Sequence, residues 1–465
     1  GQISIADINI GEADPATGSI VGKQSESLVY LADGSTQQLG IDANMTTLRE
    51  AGTYGGIFRN QTEGSGKLIG DGTLENVGKI NRSVSGAAGN YTLAGTSDFE
   101  CLAIALNSQG SFGMEAFVTG ETVAGLLSGT YSVTGNADIS YDKTGIVTLN
   151  RNDQDNNLTY AFTGSMKGNG SNITITQTSR DTDKGVKKDS NAGLFASIGS
   201  ATFENLTIDG TVANANGAGG IAYRVIGGST VTLKNVAMKK TFNMNCSGTI
   251  GGFFALAEGG PTINADTITL AATMDVDSLE TYSGFITTLK NGTVKLDGIK
   301  LGGSLTSTSG SSTGGFLGGT WETTKGTIQN LTVTGGTSYT SGGTFGVLLN
   351  TVTSPNASGL NNRLKLNNIK LSGLTVTPTN NTKSNCALLI QNGKGLVADI
   401  IDYSSAGCTV VTDKLGSNFD EVVGVTKNGT RSGIISLHSS INSFPEYHYE
   451  NQATGIAGTA MKNPN

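Results

Sequence analysis

A short apolar phrase that opens on glycine or another small residue recurs through most of the chain. A repeat of about 20–50 residues predicts a solenoid, because one such unit is too small to bury a core alone. The clear copies are GGIFRN from Gly55, AGLFASIG from Ala192, GGIAYRVIGG from Gly219, GGFFALAEGG from Gly251, SGFITTLKNG from Ser283, GGFLGGTW from Gly314 and GTFGVLLN from Gly343. Two weaker copies are CALLIQNGKG from Cys386 and CLAIALNSQG from Cys101.

Each phrase is followed by a second one with apolar residues at its first, fourth and sixth positions, in successive steps of 30, 32, 31, 32 and 38 residues. This spacing predicts a short strand, a bend, and a second strand in which the alternation of inward and outward side chains starts again. Asn and Gly tolerate the left-handed backbone that such a bend needs. Stacked bends predict a ladder of bonded Asn amides. The bend positions in successive copies are Asn205, Asn235, Thr267, Gly298, Asn330 and Asn368.

The fold predicted from these phrases is an all-β parallel β-helix of roughly 8–10 coils. The phrases are short, rich in β-branched residues and separated by Gly, Asn and Thr, which is typical of strands and turns. Phe253, Phe285 and Phe316 follow the small residue of their phrases and are expected to stack inside. Residues 128–190 depart from the repeat and are expected to form irregular coils or an inserted hairpin, with a turn at 167–170.

The predicted organisation has three parts: residues 1–50 as an N-terminal cap, 51–435 as the repeat domain, and 436–465 as a C-terminal cap and linker. The phrases with their following strands resemble the repeats of bacterial surface proteins, including the GLUG type. More broadly they resemble right-handed parallel β-helix proteins of the pectate-lyase-like and adhesin kind. That resemblance implies a fold but no single activity, because such proteins include lyases, glycosidases and inert stalks.

The charge balance argues against nucleic acid as a partner. The chain has 30 basic and 37 acidic residues, a net charge of −7, and a nucleic-acid binder needs a basic stripe. No apolar run approaches the roughly 18 residues that span a bilayer. The four cysteines do not form a disulfide framework, and whether Cys386 pairs with Cys408 stays open.

Candidate catalytic carboxylates are few. Asp275 and Asp277 are two positions apart, so on a strand they share a face, and Glu280 follows. A lyase or hydrolase would also need a nearby cation to tune a base, and no arginine lies in that copy or the next. A solvated turn is the alternative that the sequence favours.

Candidate metal and ligand positions are equally sparse. Asp153 and Asp155 offer oxygens in a row for calcium, the one cofactor considered, but the glycine and closing Glu of an EF-hand are missing. Trp321, placed on an exposed turn, and the aromatic segment with Tyr447 and Tyr449 could stack on sugars. For the aromatic segment, a cap on the last coil is the interpretation that the sequence favours.

The sequence therefore predicts an exported, non-enzymatic β-solenoid module of a bacterial surface or secreted protein, acting as an adhesin or spacer. Its partner would be a host or cell-wall surface ligand, with a glycan as one possible class. Export is inferred from composition and repeat type, because the chain shows no signal peptide. The alternatives are a carbohydrate-active β-helix enzyme (a polysaccharide lyase or glycoside hydrolase) and a glycan-binding module stabilised by calcium.

Overall fold

The structure is a computed structural model, and it describes most of the chain between residues 89 and 424. The described ranges are 89–107, 122–140, 148–150, 158–178, 191–213, 215–246, 248–275, 281–307, 314–353, 362–379, 386–415 and 419–424, with the backbone of short strands outside them. The fold is a parallel β-solenoid of about seven turns, which confirms the predicted fold class.

Each turn has three faces, and the turn that starts at residue 230 shows them clearly. The first face is the strand Thr230–Met238, and the second is the short strand Asn243–Asn245. The third face holds Ile250–Gly251 and Phe254–Ala257, which belong to the glycine-opened phrase. Strands of the next turn lie beside these in parallel register, as Thr230 beside Thr262 shows.

Successive turns stack strand on strand. The first face contains Asn90–Leu93, Thr130–Val133, Ser165–Lys167, Thr202–Ala213, Thr230–Met238, Thr262–Leu270, Thr293–Leu301, Lys325–Val333, Asn362–Lys370, Leu396–Ser404 and Ile434–His438. The second face contains Ala137–Ser140, Asn172–Gln177, Asn243–Asn245, Thr273–Asp275, Ser304–Ser307, Thr337–Ser341, Leu374–Pro378 and Thr409–Val410. The third face contains Asn191–Ile198, Gly217–Val225, Ile250–Gly251, Phe254–Ala257, Tyr282–Ser283, Ile286–Lys290, Gly314–Gly315, Gly318–Glu322, Leu349–Thr353 and Ile390–Asn392.

The remaining elements are short. The helices of the described residues are Thr96–Asn107 and Val123–Leu127, with a 3₁₀ turn at Leu158–Tyr160. Cys386–Ala387 pairs with Phe419–Asp420. The other strands are Gln2–Ala6, Glu12–Ala13, Ile20–Val21, Val29–Leu31, Gln37–Asp42, Phe58–Asn60, Leu68–Ile69, Asn81–Arg82, Tyr447–Glu450 and Ala460–Lys462.

The first-face strand bends at one residue in each of six successive turns, and these residues are the ones predicted from the 1-4-6 spacing. Asn205 and Asn235 have φ of 51°, and Gly298 has 66°. Thr267, Asn330 and Asn368 fall between 54° and 57°. These are left-handed backbone conformations, so the predicted bends are confirmed.

The predicted amide ladder is also present, in two segments. The Asn235 side-chain amide donates to Oδ1 of Asn205 at 2.9 Å, and Asn368 donates to Asn330 at 2.8 Å. Gly298 has no side chain to continue the ladder. Asn330 instead donates to Oδ1 of the neighbouring Asp297 at 2.7 Å.

Inward-facing residues form one continuous core along the axis. Phe253, Phe285 and Phe316 are fully buried, as predicted. The Phe253 and Phe285 rings come from adjacent turns and meet edge to face, with centroids 5.6 Å apart. Nearer the N-terminus, Phe162 and Phe195 stack at 4.5 Å. Aromatic contacts of this kind add to the stabilisation that burial alone provides.

Glycine opens these phrases for a steric reason. A Cβ on Gly219 would overlap the carbonyl oxygen of Ala222, and one on Gly251 would overlap that of Phe254. The backbone turns back on itself within three residues, so no side chain fits there. Glycine therefore marks a corner within the third face.

One sequence prediction needs correction. The phrase at Cys101 is not a coil but part of the helix Thr96–Asn107. Its buried residues Phe99, Leu102, Ala103 and Leu106 have helical spacing, which a comparison of apolar phrases overlooks. The phrase at Gly55 lies outside the described residues.

Residues 128–190 follow the same stacking wherever the structure describes them. Thr130–Val133 and Asn172–Gln177 pair in parallel with neighbouring turns, as coils of the solenoid do. The expected hairpin turn at 167–170 is instead a longer version of the common bend. Lys167 lies beside Glu204 and Asn172 beside Thr207, so residues 168–171 occupy the place of residues 205 and 206.

The strand direction reverses at both ends of the first-face stack. Asn81–Arg82 runs antiparallel to Asn90–Leu93 at one end. At the other end Tyr447–Glu450 runs antiparallel to Ile434–His438, and Ala460–Lys462 runs antiparallel to Tyr447–Glu450.

Candidate functional site: a polar groove on the first face

The carboxylates singled out from the sequence do not assemble into a described cluster. Asp275 is exposed at the end of the second-face strand Thr273–Asp275. Asp277 and Glu280 lie outside the described residues, as do the calcium candidates Asp153 and Asp155. Within the ranges that the structure describes, no group of three His, Cys, Asp or Glu side chains could hold a metal ion.

The expected position of Trp321 on an exposed turn is wrong. Trp321 lies in the third-face strand Gly318–Glu322 and is fully buried. Its indole Nε1 donates to the Ile286 carbonyl oxygen at 2.9 Å. The indole fits inside because Gly318, which it contacts, has no side chain. It therefore offers no exposed face for a sugar.

Tyr447 and Tyr449 lie in the antiparallel strand Tyr447–Glu450, and their side chains are outside the described part. The two cysteines with an open pairing are free thiols. Cys386 is buried and Cys408 is half-buried. Burial and the nearby Glu421 carboxylate raise the pKa of the Cys408 thiol to about 11, so it stays protonated at neutral pH.

An open groove of about 470 Å³ crosses four turns on the outside of the first face. It is bordered by outward side chains from the half-strand before the bend, while Leu233, Ala265 and Leu296 contribute to its floor. The polar residues that line it are Thr232, Lys234, Asn264, Asp266, Lys295, Asp297, Thr327 and Gln329. We call these eight residues the polar groove.

The strand register arranges these side chains in two columns. Thr232, Asn264, Lys295 and Thr327 are register partners in one column. Lys234, Asp266, Asp297 and Gln329 form the other, directly before the bend. Parallel strands are about 4.8 Å apart, so each column presents one polar group at about that interval.

Asp297 is the most constrained acid of the polar groove. Gln329 Nε2 donates to its Oδ2 at 2.7 Å, and Asn330 Nδ2 donates to its Oδ1 at 2.7 Å. The hydrogen bond from the Asn330 amide, followed by that from the Gln329 amide, has the largest effect on the pKa of the Asp297 carboxyl, and both lower it. The carboxylate is held ionised, with both oxygens engaged by the next turn.

The other charges of the polar groove differ in their partners. Lys234 Nζ lies 3.2 Å from Oε1 of Glu204 in the preceding turn, an exposed ion pair. Asp266 accepts a hydrogen bond from the neighbouring Thr267 hydroxyl at 2.9 Å. Lys295 is exposed and, among the described residues, has no ion-pair partner.

The polar groove is suited to binding through hydrogen bonds. Hydroxyl, amide, ammonium and carboxylate groups are held on a stack whose backbone is fixed by its neighbours. Asp297 is a poor general acid or base, because its charged form is the stabilised one and its oxygens are already bonded. The arrangement presents donors and acceptors at regular intervals along the axis.

Sequence reasoning missed the polar groove because its residues are about 31 positions apart and no local motif joins them. The signal was available in the bend positions, since the residues just before Asn235, Thr267, Gly298 and Asn330 are the second column. Aligning the copies on the bend would have assembled it.

Comparison with protein-family models, with curated proteins and with solved structures finds no match. The parallel solenoid is shown by the strand pairing, whereas the resemblance to GLUG-type and pectate-lyase-like proteins stays a prediction. No helix in the described ranges is long and apolar enough to cross a membrane.

Proposed function

We propose that the chain is an exported, non-enzymatic β-solenoid module of a bacterial surface or secreted protein, and that it binds a glycan as an adhesin. The observation that carries this proposal is the polar groove. It is open, crosses four turns and presents alternating hydrogen-bonding groups. A stalk that only spaces other modules would need the stack but not such a groove.

The rigidity of the stack supports a binding role. Bonds such as that from Asn235 to Asn205 tie each bend to its neighbour, so the columns need little ordering when a ligand arrives. Preorganised groups lose less conformational entropy on binding. An extended sugar chain, with hydroxyls at intervals of a few ångströms, is the ligand class that fits such columns.

The alternative is a polysaccharide lyase or glycoside hydrolase, and one observation favours it. Asp266 and Asp297 are register partners within the polar groove, so two carboxylates lie close together. A glycoside hydrolase needs one of its two carboxyl groups protonated to act as the acid. The amides around Asp297 lower its pKa, the opposite direction, and this supports binding over catalysis.

The test is a glycan array probed with the full chain, followed by a turnover screen on acidic and neutral polysaccharides. Replacing Thr327 and Gln329 by Ala should reduce glycan binding, because it removes a hydroxyl and an amide from the two columns. The variant Asp275→Asn with Asp277→Asn should bind like the parent and serves as the control.

Two results would contradict the proposal. An array on which the parent binds nothing would leave only the spacer role. Measurable cleavage that Asp297→Asn abolishes would make the enzyme the better interpretation. Calorimetric titration of calcium into the parent and into the Asp275→Asn, Asp277→Asn variant tests the calcium-stabilised alternative. That alternative requires that the parent binds calcium and that the variant does not.

A further inference from the structure

Four basic side chains lie together on the first face, at the C-terminal side of the polar groove. They are Lys295, Lys325, Arg363 and Lys365, and all four are exposed. We call them the basic patch. Lys295 belongs to the polar groove as well, so the two surfaces are continuous.

The strand register brings these residues together from three successive turns. Lys325 and Arg363 are direct register partners in one outward column. Lys295 and Lys365 lie in the next column, both beside Thr327 of the turn between them. Neighbouring strands are about 4.8 Å apart and residues two positions apart along a strand about 6.6 Å, so the four charges occupy a compact area.

Three lysines elsewhere in the described residues pair with acidic side chains. Lys234 is bonded to its register partner Glu204, and Lys290 to Glu258 of the preceding turn at 2.7 Å. In contrast, none of the four residues of the basic patch has an ion-pair partner in the described part of the chain. Stacking Lys325 beside Arg363 places like charges opposite each other, which is unfavourable without an anion.

Three acidic residues face the same side. Asp399 is the register partner of Lys365, Asp297 is that of Gln329, and Asp266 is that of Asp297. The Asp297 oxygens already accept from Gln329 and Asn330. The patch therefore keeps an excess of positive charge on a chain whose net charge is −7.

We propose that the basic patch binds the acidic groups of an anionic polysaccharide that lies along the solenoid axis and continues into the polar groove. This proposal rests on the proposed glycan binding and assigns its ligand class. The ammonium and guanidinium groups bind carboxylate or sulfate oxygens. The Thr, Asn and Gln side chains of the groove bind the hydroxyls between them.

A polysaccharide fits the basic patch better than a nucleic acid does. Duplex DNA carries one charge per about 1.7 Å of axis, far denser than these cations. Binding of single strands relies on aromatic stacking, and the large exposed apolar residues of the described ranges are Leu158 and Val411.

The experiment compares two charge-reversal variants of the full chain that differ only in where the charges lie. The patch variant is Lys295→Glu with Lys365→Glu. The control is Lys300→Glu with Lys370→Glu, which alters the same two strands by the same charge but beyond the bend. Affinity is measured for heparin, polygalacturonate, neutral dextran and single-stranded DNA, with sedimentation to follow the oligomeric state.

The parent is expected to bind heparin or polygalacturonate, and the two probes separate sulfate from carboxylate recognition. The patch variant should lose at least about tenfold in affinity, because two attractions become repulsions. The control should retain most of it. Raising the salt from 0.1 to 1 M shortens the Debye length from about 10 to about 3 Å and should weaken binding by the parent.

Several outcomes would overturn the proposal. Equal losses in both variants would mean attraction by overall charge, and tighter binding of DNA would mean a nucleic-acid surface. A change of oligomeric state in the patch variant alone would make the patch a self-interface. If the parent binds neutral glycans but neither anionic probe, this proposal fails while the proposed function stands.

Discussion

At the scale of single residues, the bend is the position where side-chain chemistry and backbone geometry depend on each other most. Asn235 has a left-handed backbone, and its side-chain amide bonds to Asn205 of the turn before. Asparagine is among the few residues other than glycine that adopt this conformation readily. One residue type thus provides both the bend and the link between turns.

Replacing Asn235 separates these two roles. Asn235→Ala should lower the free energy of unfolding by about 1–2 kcal/mol, because it adds backbone strain and removes an exposed hydrogen bond. Asn235→Gly keeps the backbone and removes only the amide, so its effect should be smaller. Urea denaturation of both variants measures the difference. Equal destabilisation by Ala and Gly would mean that backbone conformation is not what the residue provides.

A second residue-scale prediction concerns the core. Phe285 is fully buried, 5.6 Å from the Phe253 ring and 6.2 Å from the Phe254 ring. Phe285→Ala should cost about 3–5 kcal/mol, since the stack fixes the surrounding turns and the cavity cannot close fully. Phe285→Leu keeps most of the volume and should cost clearly less. Thermal or chemical denaturation measures the stability of both variants. An alanine variant as stable as the parent would contradict the position of Phe285 inside the stack.

The residues that could be predicted from the sequence are those whose role is local. The 1-4-6 spacing identified Asn205, Asn330 and Asn368 as bends because bend and strand are set by adjacent positions. Trp321 was misplaced because its burial depends on Gly318 and on Ile286 of the preceding turn. The helix at residues 96–107 was missed because a short apolar phrase has the same composition in a strand and in a helix.

At the scale of elements, the first-face strands couple the polar groove to the ladder of bends. Asp297 precedes a bend and accepts from the two residues of the next strand that lie nearest to it. The polar groove could not be assembled from the sequence without the register, since its parts come from four strands. The register itself follows from the alignment of bends.

The pH dependence of stability should report on Asp297. Its pKa is lowered in the folded state, so its contribution is present above the ordinary aspartate pKa of about 3.9 and is lost as the pH falls through the folded value. Asp297→Asn should therefore be less stable than the parent at pH 7, with the difference shrinking at pH 3. Urea denaturation at both pH values measures this. Asp275→Asn removes the same charge from the second face, and an equal pH trend there would refute the role of the amides.

At the scale of the whole molecule, stability is a sum over turns and their contacts with neighbours. Thr262 to Gly292 is one complete turn, because Thr262 and Thr293 are register partners. Solenoids built this way tolerate changes in the number of repeats when the register is kept. The molecule should behave as a stack of interchangeable layers.

Deleting residues 262–292 tests this property. The shortened chain should fold, because the strand from Thr230 would then stack on that from Thr293, with Lys234 beside Asp297. Deleting residues 262–277 removes about half a turn and should prevent folding of the turns that follow. Circular dichroism and cooperative unfolding distinguish the two chains. Equal behaviour would show that the register between turns does not govern the fold.

The reversed strands at the two ends of the first face affect how the molecule associates with further copies of itself. In-register parallel stacking is also the geometry of amyloid fibrils, where each open edge adds the next molecule. Here Asn81–Arg82 is antiparallel to the stack at one end, whereas at the other end Tyr447–Glu450 is followed by Ala460–Lys462, which runs parallel to the stack again. A copy that arrives at the Asn81–Arg82 end meets a strand of opposite direction, so continued parallel growth is disfavoured at that end.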